Sequence, residues 1–357
     1  MPPRLVPGSV WDRAGRNEPD ATRPDLRAAC GGARRVMARC ITMVRDDGPG
    51  PATRVKGADM DEADVLGLFE RCSNVGRWGP DDMLGTLNFV TPARRAAAAT
   101  LVRSGRIVSL ARDLSTAPSL SNPVPVVHRM LQGGEQDAVG SADSIEITSH
   151  GYAVTHLDAF GHAYFEGRAH NGRRASEIWS PAGLSYGSID GLRDGIFTRG
   201  VLLDVARARG VAWLTPGEGV SPEDLDRAEA MAGVRVESGD AVIVRIGLGA
   251  RELVEGTEDP AHRAGLLPEC LPWLYEREVS VYGGDCIEQL PSPYPRVPAP
   301  FHMVALVAMG LVLLDNPTVE ELAKVARELG RSAFLLTCAP LPIRGGTGSP
   351  VNPLAVF

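Results

Sequence analysis

The sequence predicts an α/β fold, and three observations predict it. Short apolar runs bounded by glycine, such as Gly200-Val-Leu-Leu-Asp-Val-Ala206 and Asp240-Ala-Val-Ile-Val-Arg-Ile-Gly247, read as buried strands. Helix-start signatures lie between them, and the two kinds of segment alternate along the second half of the chain. Taken in order, residues 61–71 form a helix, because Val65, Leu66, Leu68 and Phe69 make one apolar stripe. Thr91-Pro92 opens a second helix, with threonine as cap and proline at the first helical position, running to Gly105. Residues 106–114 alternate like a strand. Ser221-Pro-Glu-Asp224 starts a helix between the two glycine-bounded strands, with acids in its first turn. Residues 279–283 form a strand, 303–309 a buried helix and 311–314 a short strand. Thr318 caps a helix through Leu329, and residues 333–338 form the last strand. Between Glu288 and Pro300 stand Pro291, Pro293, Pro295, Pro298 and Pro300, which lack the donor a β-ladder needs, so this segment is an irregular loop. It leads directly into His302.

The chain has 357 residues, 44% of them apolar and 23% charged, which suffices for a sizeable core. Residues 1–58 are rich in Arg, Pro, Gly and Asp and short of sustained apolar pattern, and are expected to be a flexible or loosely docked extension. Residues 59–357 are expected to be one catalytic domain. A net charge of −7 argues against a nucleic-acid partner. No apolar run reaches the ~18 residues of a membrane span, and the first residues lack the apolar stretch of a signal peptide. Six scattered cysteines with no C-x-x-C pair fit reduced thiols, so a cytoplasmic location is expected.

Chemistry concentrates in one segment. His150, His156, His162 and His170 fall within 21 residues, with Asp158 among them. On an extended chain His156 and Asp158 leave the same face, their Cα atoms about 6.6 Å apart, and can grip one ion. Gly161 allows a turn that swings His162 toward the same point. A single histidine is ordinarily satisfied by hydrogen bonds; His156, Asp158 and His162 together are better read as a site. Imidazole with carboxylate suits zinc or manganese, either of which can polarise a carbonyl and lower the pKa of a bound water to about 7. His170 precedes the turn signature Asn171-Gly172 and reads as a loop residue. His262 reads as solvated, and His128, after a Pro-rich stretch, is a candidate pocket residue. Asp204 and Asp285 end apolar strands, where either a site or a helix cap fits.

Thr155-His-Leu-Asp-Ala-Phe-Gly-His162 matches T-H-x-D-x-x-x-H, the second half of a motif H-x-G-T-H-x-D-x-x-x-H, and the sequence resembles the cyclase family that includes bacterial kynurenine formamidase and isatin hydrolase. It is most similar to the longer branch, through Trp78-Gly-Pro-Asp-Asp82, Gly85-Thr-Leu-Asn88, Asn171-Gly172, Thr198-Arg-Gly-Val-Leu-Leu-Asp204, Pro340-Leu-Pro342 and Gly348-Ser-Pro-Val-Asn-Pro353. The resemblance implies a central mixed, partly barrel-like sheet flanked by helices, a divalent metal (zinc or manganese), a small-molecule carbonyl substrate, and a homodimer or larger homo-oligomer. It also implies metal ligation by His156, Asp158, His302 and Asp315, with His162 as ligand or acid/base. At the family's first histidine this chain has Tyr152, and His150 stands two residues earlier. In an unbroken strand His150 and His156 would be about 20 Å apart. Either Gly151 bends the chain and brings His150 in, or Tyr152 lines the substrate pocket and fewer side chains hold the metal.

Three functions follow as expectations. The first is a metal-dependent hydrolase of a cyclic amide, formamide or lactone. The second is a biosynthetic, polyketide-type cyclase or dehydratase on the same scaffold. The third is a binding protein without metal.

Overall fold

Nine strands build the central sheet: β1 (Ile107–Ser109), β2 (His156–Asp158), β3 (Ile196–Asp204), β4 (Ala241–Arg245), β5 (Val281–Gly284), β6 (Val312–Asp315), β7 (Ala333–Cys338), β8 (Gly348–Pro350) and β9 (Leu354–Val356). They are seen in a computed structural model that describes residues 60–134 and 136–357. The expected extension at residues 1–58 lies outside the described residues.

The sheet order is β1-β9-β7-β3-β4-β5-β6-β2-β8, and the sheet curls into a half-barrel with helices packed on it. β3, β4, β5 and β6 pair in parallel, whereas the outer pairings are antiparallel. The middle strands are buried along their whole length, which is why their sequences are continuous apolar runs. Their side chains join those of the helices in the main apolar core, around Ile243, Tyr282, Leu313 and Phe334.

Most helix ends follow from capping. Asp61 and Asp64 form a reciprocal box at the start of Glu62–Arg71, and Ser221 and Asp224 do the same for Pro222–Ala232. The helix after Thr91 spans Pro92–Ala99 and is shorter than expected: Leu101 and Val102 donate to the carbonyls three residues back, so the chain leaves in tighter turns. The helix Glu320–Leu329 begins after Val319, not Thr318, and no side chain caps it. The predicted strand 106–114 survives only as β1, the stretch that stays in ladder register with β9; Leu110 still bonds to the Pro353 carbonyl, but Arg112 turns to the Thr155 hydroxyl. Val127–Gln132 and Ala142–Glu146 form a hairpin that the sequence reading did not find; both strands are largely exposed and carry little apolar alternation.

The apolar stretch before β6 is a turn of α-helix, Pro300–Met303, continued as a π-helix, Val304–Met309. π-Helical turns are uncommon and recur at functional sites. Asp204 and Asp285 are caps. Asp204 accepts from Arg207 N–H and from the Arg245 guanidinium at 2.8 Å. Asp285, just past β5, accepts from the backbone N–H groups of Ile246 (2.8 Å), Gly247 (2.9 Å) and Leu248 (2.8 Å), fixing the start of Leu248–Glu255. Hydrogen bonds to a charged group are each worth about 1.5–3 kcal/mol, and buried donors left unpaired add to the loss. Asp285→Ala is therefore expected to lower the unfolding free energy by about 3 kcal/mol or more in urea denaturation at neutral pH. A loss below about 1 kcal/mol would contradict the cap.

Candidate metal centre

β2 lies between β6 and β8, and register alone assembles half of the cluster. His156 stands opposite Asp315 on β6, while Asp158 stands opposite Gly348 on β8. Thr155 locks this arrangement: its hydroxyl donates to the Asn316 carbonyl at 2.8 Å. Asn316, in the left-handed region at φ 53°, donates through its side-chain amide to the Gly151 carbonyl at 2.7 Å. That bond pins a turn at Gly151, whose φ of 121° is open to glycine and not to other residues.

The Gly151 turn brings His150 into the cluster. Its ring stands 5.2 Å from that of His156, edge to face, and stacks on His162 at 3.7 Å with the planes 6° apart. The extended-chain spacing of about 20 Å is thereby overturned, because the backbone reverses at Gly151. Gly348 makes the room: a Cβ there would lie 2.7 Å from His150 Cε1. Gly161 works differently from the expected turn. The chain from Phe160 to His162 is one turn of 3-10 helix, and a Cβ on Gly161 would lie 2.3 Å from Leu184 Cδ1, so the glycine serves close packing.

Asp158 is the hub, fully buried. Its Oδ1 lies 2.9 Å from His150 Nδ1, 3.4 Å from His156 Nε2 and 4.0 Å from His162 Nε2; its Oδ2 lies 3.9 Å from His302 Nε2. Asp315 Oδ2 is 3.2 Å from His302 Nε2 and 3.8 Å from His156 Nε2. Among the described residues two three-residue groups emerge, His150–Asp158–His162 and His156–Asp158–Asp315, with Asp158 common to both.

Two features fit this set to a cation. Both oxygens of Asp158, Asp315 Oδ1 and His150 Nδ1 are buried without a hydrogen bond, and the 2.9 Å approach of His150 to Asp158 is not aligned as one. Buried polar atoms are ordinarily paired, so unpaired atoms gathered on His150, Asp158 and Asp315 call for a partner. Second, three histidines have their outer nitrogen engaged: His156 Nδ1 with the Val154 carbonyl (2.8 Å), His150 Nε2 with Thr347 Oγ1 (2.9 Å) and His302 Nδ1 with Glu288 Oε1 (2.5 Å). The inner nitrogens face carboxylates, with His302 Nε2 in a 3.2 Å hydrogen bond to Asp315 Oδ2, so a proton or a metal has to stand between ring and carboxylate.

The titration behaviour reflects this. Burial disfavours a charged His156, yet Asp158 and Asp315 outweigh it and raise the imidazole to about 9. Burial likewise opposes a charged His302, but Glu288 and Asp315 lift it well above the ordinary value. Burial also opposes ionisation of Asp158, and the surrounding histidines still hold its carboxyl well below the usual range. His162 goes the other way: burial and the neighbouring His150, His302 and His156 outweigh Asp158 and push it down to about 4.

The remaining candidates fall elsewhere. His128 lies on the exposed hairpin with Nε2 2.7 Å from Asp143 Oδ2, and the structure does not bring it into the cluster. His128 was expected to line a pocket; in the structure its ring is engaged across the hairpin with Asp143. Tyr152 is partly buried with its ring face 4.6 Å from the Arg263 guanidinium carbon. His170 is fully buried, its Nδ1 3.0 Å from the Val307 carbonyl, in a turn where Asn171 has φ 57°. Glu288, which contacts His302, was missed by the sequence reading; its only signal was its place at the head of the Pro-rich loop.

A family model described as a cyclase matches residues 85–289 of this chain. No curated protein matches it. Among solved structures, one described as a novel cyclase is 28% identical, with a TM-score of 0.72, covering 81% of this chain and 99% of its own. Isatin hydrolase A from Ralstonia solanacearum is 24% identical, with a TM-score of 0.51 over 73% of this chain and 95% of its own. An isatin hydrolase bound to the product analogue thioisatinate is 18% identical, with a TM-score of 0.50 over 72% and 94%. The last two are similar in fold.

A ligand that binds only the folded chain stabilises it by about 2.7 kcal/mol at one hundred times its Kd. Calorimetry of chelator-treated protein is expected to show that much gain on adding zinc, and Asp158→Asn is expected to lose it. Equal zinc stabilisation of both proteins would remove Asp158 from the centre.

Proposed function

The chain belongs to the cyclase family, and from that premise we propose that it is a metal-dependent hydrolase cleaving a cyclic amide, formamide or lactone. The observation that supports this most is the donor set: three histidines with their outer nitrogens engaged and their inner ones turned on Asp158 and Asp315, two buried carboxylates with unpaired oxygens. In this reading His150, His156, Asp158, His302 and Asp315 hold a divalent zinc or manganese ion, and His150 takes the part left open by Tyr152. Such an ion, when bound, polarises a carbonyl and acidifies water.

His162 is the residue we assign to proton transfer. It is the most open of the clustered histidines, with 26% of its side chain exposed, and its depressed pKa leaves it neutral at pH 7 with a lone pair to offer. Water adds to the carbonyl carbon, His162 takes its proton, and the same proton passes to the departing nitrogen or oxygen as the C–N or C–O bond breaks. The products are an amine or alcohol and a carboxylic acid, which gives its proton, the second from water, to solvent as it ionises to the carboxylate. Tyr152, braced on Arg263, is proposed to face the substrate.

Ring closure is the second reading, favoured by the 28% identity to a structure described as a cyclase. The same His162 would then move a proton from a substrate hydroxyl or carbon. A binding role without metal fits less well, since His150 completes the donor set that Tyr152 had put in question.

Turnover of a panel of cyclic amides, aryl formamides and lactones separates these. The expected result is carboxylate formation that is lost on chelation and restored by zinc or manganese. His162→Gln is expected to lower kcat by about 10²–10⁴-fold with KM little changed. Activity undiminished by chelation or by His162→Gln would overturn the assignment.

A further inference from the structure

Glu288 begins the Pro-rich loop and lies fourteen residues before His302 in sequence, yet the loop returns so that the two touch. One carboxylate oxygen accepts from the Phe301 backbone N–H at 2.8 Å, at the entry to the Pro300–Met303 turn. The other meets His302 Nδ1 at 2.5 Å. Glu288 is buried, 6% exposed, and its backbone is held in turn: it bridges to Leu266, and a Cβ on Gly265 would lie 2.3 Å from the Glu288 carbonyl carbon. Only glycine at 265 lets the two segments approach so closely. Arg263 closes the clamp, exchanging backbone hydrogen bonds with Leu290.

His302 is the one histidine of the cluster that comes from outside the segment 150–162, and it rides on a short helical turn. A ring on such an element has two freedoms to lose, its rotation and the choice of which nitrogen carries the proton. A carboxylate fixed at both oxygens removes both. An ordinary carbonyl partner, such as Val154 for His156, orients a ring; a buried carboxylate also makes the opposite nitrogen a stronger donor toward a metal.

We propose that Glu288 is a positioning residue that sets the Nδ1–H form and orientation of His302, so that Nε2 is presented to a divalent cation beside Asp158 and Asp315. The inference rests on the metal-centre reading above, and Gly265 supports it by letting the Glu288 backbone reach its place. Loss of such a partner ordinarily weakens metal binding 10–100-fold.

The test uses the full-length chain and zinc, which is diamagnetic. Long-range proton–nitrogen spectra of the zinc-loaded wild-type protein are expected to show His302 protonated at Nδ1 with zinc on Nε2. Competition against a chromophoric chelator is expected to show zinc held about 10–100-fold more weakly by Glu288→Gln, with Glu288→Asp closer to wild type. Zinc bound by wild type with His302 protonated at Nε2 would overturn the proposal without need of a variant. So would equal zinc affinity in wild type and a folded Glu288→Gln protein. A wild-type protein that binds no zinc at the cluster would overturn both this inference and the metal-centre reading.

Discussion

The pairing of one three-residue strand, β2, with neighbours on both sides is the constraint on which the rest of the site depends. Register with β6 sets His156 against Asp315, and register with β8 sets Asp158 against a glycine that leaves space for His150. A slip of one residue would send every side chain of β2 to the other face. The Thr155 hydroxyl, bonded to the carbonyl of Asn316, and the Asn316 amide, bonded to Gly151, oppose that slip on the β6 side. The threonine of the motif is thus part of the site's mechanics, although it donates to backbone and not to a ligand.

Buried charge supplies the energetics. Asp158 has no solvent exposure and no hydrogen bond, and with Asp315 it raises the neighbouring His156 imidazole to about 9 against the effect of burial. Such a group is costly to bury and is retained where it serves binding or catalysis. His302 and His162 diverge in the same field for physical reasons: two carboxylates outweigh burial at the first, while burial and then the neighbouring imidazoles prevail at the second. In the proposed reading, a cluster that separates its histidines in this way serves both as a grip for a cation and as a neutral base beside it.

Much of this was legible in the sequence. The continuous apolar runs marked the buried parallel strands, the apolar stripe of residues 61–71 marked one helix, and the capping residues at Thr91 and Ser221 marked two helix starts. The spacing of His156, Asp158 and His162 marked the cluster. What escaped was long-range. The reversal at Gly151 depends on a bond from Asn316, over 160 residues away, so an extended-chain estimate could only place His150 outside. β8 and β9 are three residues each and exist through their partners, not their composition. Glu288 has no local pattern to announce it, because its meaning comes from a loop that doubles back on His302. His128 stands on a largely exposed hairpin with little apolar alternation, a setting that the Pro-rich approach gave no means to read.

The most direct measurement is anomalous diffraction at the zinc edge from crystals of the protein loaded with zinc. The account predicts a peak about 2.0–2.2 Å from His156 Nε2 and from an Asp158 oxygen. A map in which zinc-loaded crystals show no peak at Asp158, or show the metal held only by residues outside the cluster, would contradict it.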